Sequence, residues 1–158
     1  MNTSLHRGFT LIELLLVIGI IAVLAVVVFV ALDPSKRFRD ARDARRVQDV
    51  QSILTAVHES IVDNKGTLPT GLTVGMNESQ IGSDTSGCGI VVGGCSVANT
   101  GDCVNLTAPL AKYLKSIPTD PAGGTTNLTK YAISVSPNNM IAIKACGAEG
   151  LTNVSASR

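Results

Sequence analysis

The sequence predicts an α+β fold, with one long N-terminal helix, apolar and then amphipathic, packed on a small antiparallel β-sheet head. Three observations predict it. From Phe9 to Leu32 only Thr10, Glu13 and Gly19 fall outside the hydrophobic set. Val47, Val50, Leu54, Val57 and Ile61 then recur at spacings of three and four, a single stripe of helical period. Much later, Tyr131-Ala-Ile-Ser-Val and Met140-Ile-Ala-Ile-Lys-Ala bracket Ser-Pro-Asn-Asn, a turn signal between two strands.

In chain order, residues 1–8 are short and polar, with Arg7 positive, like the charged start of a secretory signal. The apolar run that follows is too long for a signal core and has no small-residue cleavage site after it. At ~1.5 Å per residue it extends ~36 Å as a helix, enough to cross a hydrocarbon layer of ~30 Å. Residues 9–32 therefore read as a membrane span. Asp33-Pro34 interrupts the pattern, because proline disfavours helix in the residue before it and lacks a donor of its own. A kink and a fresh helix start, with Asp33 as N-cap and Pro34 first, both fit. The helical period resumes to Lys65, and Gly66 ends it. One gently bent helix over 9–65 is expected, with Gly19 and Pro34 as its weak points, since glycine costs ~1 kcal/mol in a helix interior. Residues 66–158 form the head. In it Thr70 to Thr107 is loop, a short helix is expected from Thr107 as N-cap through Lys115, and the hairpin packs against the helix stripe.

Composition narrows the function. Net charge is +1, aromatic content is 3% and tryptophan is absent, so a stacking platform for bases or sugars is not indicated. Cys88, Cys95, Cys103 and Cys146 contain no CxxC pair, which argues against zinc, and no metal or cofactor is expected. An even count in a polar head joined to a membrane span suggests disulfides in an oxidising compartment. Three pairings are open. Cys88–Cys95 with Cys103–Cys146 is the expectation, because the first pair is close in a Gly-rich loop; free thiols are the alternative. The two histidines are His6 and His58, and no G-x-S-x-G elbow accompanies them, so an enzyme is not expected. Asn77, Asn105, Asn127 and Asn153 start N-x-S/T triplets, which chance supplies in loops this rich in Asn, Ser and Thr.

Glu13 stands out, because a charge at the bilayer centre costs about 2.5–3.5 kcal/mol on insertion scales. The surrounding stretch, Gly8-Phe9-Thr10-Leu11-Ile12-Glu13-Leu14-Leu15, resembles the processing site of type IV prepilins. The resemblance implies a pilin fold. It also implies that a prepilin peptidase/methyltransferase cuts the Gly8–Phe9 bond on the cytoplasmic face and methylates Phe9. Glu13 then pairs with the Phe9 amine of a neighbouring subunit during filament assembly. The implied partners are further copies of the chain in a helical filament, the pilus assembly platform and the membrane. The implied route runs from the cytoplasmic membrane, N-terminus inside, to a pilus at the cell surface. A pseudopilin of type II secretion, a minor tip pilin and a plain anchored binding domain are the alternatives.

Two features depart from that pattern. No proline interrupts 9–32. Lys36, Arg37, Arg39, Arg42, Arg45 and Arg46 follow the span, whereas the positive-inside rule would place them in the cytoplasm. Self-pairing at helical spacing, Asp43 with Arg39 and Arg46 and Asp49 with Arg45, makes a solvated face the first reading of that stretch. Contact with anionic lipid or with acidic groups of neighbouring subunits is the second, and weak DNA contact the third. Finally, Ile117-Pro-Thr-Asp-Pro121 with Tyr131 is similar to a segment of major pseudopilins, which often bind calcium through loop oxygens. Ala122 replaces the usual tryptophan there and acidic residues are sparse, so a rigid turn at Asp120 is the expectation.

Overall fold

The structure, a computed structural model, describes residues 8–97, 101, 103–150 and 153–158. The chain divides into two compact units, one ending at Phe38 and the other starting at Arg39.

In the first unit, α1 (Leu11–Leu32) is apolar all round and buries none of its residues. It is long and apolar enough to cross a membrane. A helix without a polar face finds a favourable surrounding only in lipid or among similar helices. The helix runs unbroken through Gly19. Its end is Asp33, which adopts the left-handed conformation (φ 36°). Asp33 also starts α2 (Pro34–Asp63): its Oδ1 accepts hydrogen bonds from the Ser35 hydroxyl (2.7 Å) and the Lys36 amide (3.3 Å). Pro34 takes the first helical position, where its missing N–H costs nothing. The long helix is thus present with one interruption, at the Asp33-Pro34 step.

The second unit is the α+β head, built from the rest of α2 and four antiparallel strands. These are β1 (Ser79–Gln80), β2 (Tyr131–Val135), β3 (Ile141–Ala145) and β4 (Val154–Ser157), which pair in sequence order. The β2–β3 hairpin has the expected partners, with Ile133 opposite Ile143 and Val135 opposite Ile141. Ser136 to Asn139 makes the turn, closed by the Ser136 N–H to the Met140 carbonyl (2.8 Å). Strands β1 and β4 carry little apolar pattern and are additions to the sequence reading.

Val50, Ile53, Leu54 and Val57 of α2 join Ile81, Leu106, Leu110, Tyr131, Ile133, Ile141 and Ile143 in one core. Each such side chain contributes ~1.5–3 kcal/mol on full burial. The stripe needs correction at its start. Val47 is 42% exposed, and Arg46, beside it, is fully buried. The short helix expected from Thr107 is a run of turns. Leu110 and Leu114 donate to carbonyls four residues back, but these bonds are not consecutive, and Pro109 lacks the N–H that would stand beside the first.

Candidate processing and assembly site, and a buried charge cluster

Gly8 and Phe9 precede α1 outside any regular element and are exposed, with Phe9 87% accessible. Nothing lies within 4 Å of where a Cβ on Gly8 would sit. Thr10 caps α1, and its hydroxyl oxygen accepts from the Glu13 amide (3.3 Å). Glu13 answers through Oε2, which accepts from the Thr10 amide (2.9 Å) and hydroxyl (2.8 Å). This reciprocal capping box holds the carboxylate beside the residue that follows Phe9, and it satisfies helix donors that would otherwise be orphaned. Gly8, Phe9 and Glu13 therefore lie in one continuous exposed stretch, while Gly19 and Pro34 lie further along the same unit.

The cysteines form two disulfides, in a pairing that corrects the expected one. Cys88 bonds Cys103 and Cys95 bonds Cys146, with Cα atoms 5.2 and 5.3 Å apart. The loop is Gly-rich, but a local antiparallel bridge between Ile90 and Val97 places Cys95 opposite Val92 rather than Cys88. Cys95, Val97 and Cys146 instead pack with Ala132 on the sheet face away from the main core. Cys103 is brought to Cys88 through Asp84, whose carbonyl accepts the Cys103 amide (2.9 Å).

The feature that sequence reasoning missed lies on α2. Arg46 is fully buried and donates four hydrogen bonds: Nε and Nη2 fork onto Asp120 (2.6 and 2.9 Å), Nη1 reaches Asp43 (2.7 Å), and Nη2 reaches Glu149 (3.1 Å). Arg42 also pairs with Glu149. Asp43 in turn accepts the amides of Glu149 (3.1 Å) and Gly150 (2.7 Å). One arginine thus ties the helix to two loops that are distant in sequence. Gly147 is required here by close approach, since a Cβ would sit 2.4 Å from an Asp120 carboxylate oxygen. Electrostatics follow the geometry. The guanidinium of Arg46 is held more firmly protonated by Asp120 and then Asp43, against the cost of burial. The Glu149 carboxyl is drawn down to about 2, chiefly by Arg42 and then by Arg46. Beside the cluster, the Tyr131 hydroxyl donates to Asp49 (2.8 Å), and burial foremost, then Asp49, pushes its ionisation up.

This arrangement contains the expected pairings of Asp43 with Arg46 and of Asp49 with Arg45, but it buries Arg46 and Asp43 where a solvated face was expected, and among the described residues Arg39 does not pair with Asp43. Arg42, Arg45 and Arg46 find carboxylates, Arg45 at 3.9 Å from Asp49. Among the described residues, Lys36, Arg37 and Arg39 form no ion pair. The arrangement also tests calcium at Asp120. Both carboxylate oxygens face the Arg46 fork, and Oδ1 further accepts the Ala122 amide (2.7 Å). A cation already fills the position that a metal would neutralise, so the residues do not fit a calcium site. A signal for Arg46 was available: it lies four residues before Val50, on the same helical face as the stripe.

His58 lies on a cavity of about 410 Å³ with Thr55, Glu59, Val62, Asp63 and Tyr113. Its Nε2 has no hydrogen-bond partner among the described residues, and no serine or thiol lines the cavity. Asp63 there is occupied by Lys112 and by the Tyr113 hydroxyl. The pattern is that of a helix-face histidine.

Comparison with protein families finds the prokaryotic N-terminal methylation motif at residues 3–29, which covers most of the apolar run. No curated protein and no solved structure matches the chain.

Proposed function

We propose, from the premise that this chain carries the class III prepilin leader of type IV pilins and pseudopilins, that it is a pilin subunit of an extracellular type IV filament. The motif implies a structural subunit that is processed and membrane-associated. The exposed Gly8-Phe9 step leading into a helix that buries nothing within its own chain supports assembly. Such a helix needs lipid before assembly and the helices of other copies afterwards. The two disulfides in a loop-rich polar head favour an exposed filament over a pseudopilus.

In this reading the peptidase severs Gly8–Phe9 and methylates the new amine. The Glu13 carboxylate exchanges the Thr10 contacts for the Phe9 ammonium of a neighbour. That contact strengthens as water is excluded, because opposite charges attract more in a low dielectric. It fixes the axial register of each incoming subunit, and the disulfide-bonded head then faces water. Retention as a pseudopilin is the second reading, favoured by Ile117 to Pro121 with Tyr131. Long surface filaments would reject it.

The test is mass spectrometry on material sheared from whole cells. The expected chain begins at N-methylated Phe9 and lacks four hydrogens for two disulfides. A Glu13→Ala chain should be processed normally yet yield few or no filaments. A chain starting at Met1 and found only in membranes would defeat the reading.

A further inference from the structure

We propose that Lys36, Arg37 and Phe38 form a docking surface for the headgroups of anionic phospholipid, in the leaflet where α1 leaves the membrane. The inference rests on α1 as a span, which belongs to the function proposed above, and goes beyond it by naming a lipid partner.

The first argument is charge. The basic run of α2 divides into cations that the chain uses and cations that it leaves. Arg42 and Arg46 are committed to Glu149, Asp43 and Asp120, and Arg45 leans on Asp49. Lys36 and Arg37 form no ion pair among the described residues, and Arg39 extends the same run in sequence. Both are exposed, so anions from outside have access.

Position supplies the second argument. The 22 residues of α1 give ~33 Å of helix against a hydrocarbon layer of ~30 Å. Lys36 and Arg37 follow Leu32 by four and five residues, a reach of at most ~18 Å even fully extended. That keeps them in or beside the headgroup layer, where lysine and arginine stems run along apolar surface while their charges meet phosphate. Phe38, 67% exposed, adds an apolar ring next to them. Exposure of this kind is unfavourable in water and suited to the lipid interface.

The third argument is a local conflict. The first turn of α2 carries Lys36 and Arg37 at the end where the helix dipole is already positive, with the Asp33 carboxylate at the N-cap offsetting part of that charge. Left in water, this placement weakens the helix. The Lys36 and Arg37 amides are already bonded to Asp33, so a phosphate brought to the same turn acts through the two side-chain cations, whose repulsion from the dipole it offsets. The anion that fits is the phosphodiester of the bilayer α1 crosses.

The test uses the purified full chain in neutral detergent micelles, offered phosphatidylglycerol or phosphatidylcholine of identical acyl chains. Bound lipid is counted by native mass spectrometry. The wild-type chain should prefer phosphatidylglycerol, with the preference falling as ionic strength rises. Lys36→Gln/Arg37→Gln should lower that preference roughly 30-fold, the effect of two juxtamembrane cations. Arg45→Gln/Lys65→Gln removes the same charge elsewhere and should leave it unchanged. No preference in the wild type, or an undiminished one in the first variant, overturns the proposal. So does loss of filament contacts in that variant without any loss of lipid, which would assign the cations to a neighbouring subunit. The same spectra show whether the chain begins at Met1 or Phe9, so failure of processing and failure of lipid selectivity are read separately.

Discussion

Helices α1 and α2 are separated by one residue, Asp33, and they satisfy polarity in opposite ways. Helix α1 has a single carboxylate and no residue that the chain buries. Its side chains are complementary to a surrounding that this chain does not provide. Helix α2 is polar over much of its length, yet it buries Arg46, Asp43 and Ser60 beside Ile53 and Val57. Its buried charges are matched inside the chain, Arg46 by Asp43, Asp120 and Glu149. The difference teaches that hydropathy reports which medium a helix needs, while buried charge reports which loops a helix must hold. In α1 the specificity is addressed to other molecules; in α2 it is addressed to its own head.

The comparison breaks most directly at Arg46. Arg46→Met removes the cation from buried Asp43 and Asp120, and such a loss typically destabilises by about 3–5 kcal/mol. The measurement is the thermal or urea midpoint of the full chain in detergent, followed by circular dichroism. Val47→Ala, at the next position but 42% exposed, should change stability by no more than about 0.5 kcal/mol. Arg46→Lys should fall between them, because an ammonium cannot make the planar fork onto Asp120. Adding or chelating calcium should move none of these midpoints. If Arg46→Met proved as mild as Val47→Ala, the head would be held by its apolar core alone and α2 would differ from α1 only in hydropathy.

The disulfides come next, and they separate two parts of the head. Cys95–Cys146 closes 51 residues of sequence and Cys88–Cys103 closes 15. In the chain-entropy picture these correspond to about 4 and about 3 kcal/mol. The double serine variant at Cys95 and Cys146 should therefore unfold at lower urea than the one at Cys88 and Cys103. The reverse order would mean that the 80s loop, rather than the loop over the sheet, limits the stability of the head.

Much of this architecture was legible, for identifiable reasons. The apolar run, the Asp33-Pro34 break and the Tyr131–Ala145 hairpin are written in local patterns of length, proline and alternation. Strand β4, Val154–Ser157, reads as Val-Ser-Ala-Ser and is a strand because β3 offers it an edge. The disulfide pairing depended on the Ile90–Val97 bridge, a contact between short apolar residues in a glycine-rich loop. Arg46 looked like one of six similar cations, since burial of a charge is decided by partners 74 and 103 residues away. At the candidate assembly site the reverse holds. Gly8, Phe9 and Glu13 are adjacent in sequence, so a short stretch carries the whole signal.

The smallest expected effect concerns acid, and its sign can be worked out from Glu149. Arg42, and after it Arg46, hold this carboxyl at about 2, against an ordinary value of 4.5. Below pH 4.5 the unfolded chain takes up a proton at this group while the folded head does not. Stability from Glu149 is therefore complete above 4.5 and is lost progressively as pH falls toward 2. Asp63, drawn down by Lys112 and Tyr113, and Asp84, drawn down by the Ser86 amide, slope the same way. The Glu149 side chain is 25% exposed, so water and salt screen its pairs more than they screen those of Arg46 with Asp43 and Asp120. Glu149→Gln should accordingly flatten part of the acid slope of the unfolding midpoint, and added salt should flatten it further in the wild type. An unchanged slope in Glu149→Gln would place the acid sensitivity at Asp63 and Asp84, outside the cluster that distinguishes α2 from α1.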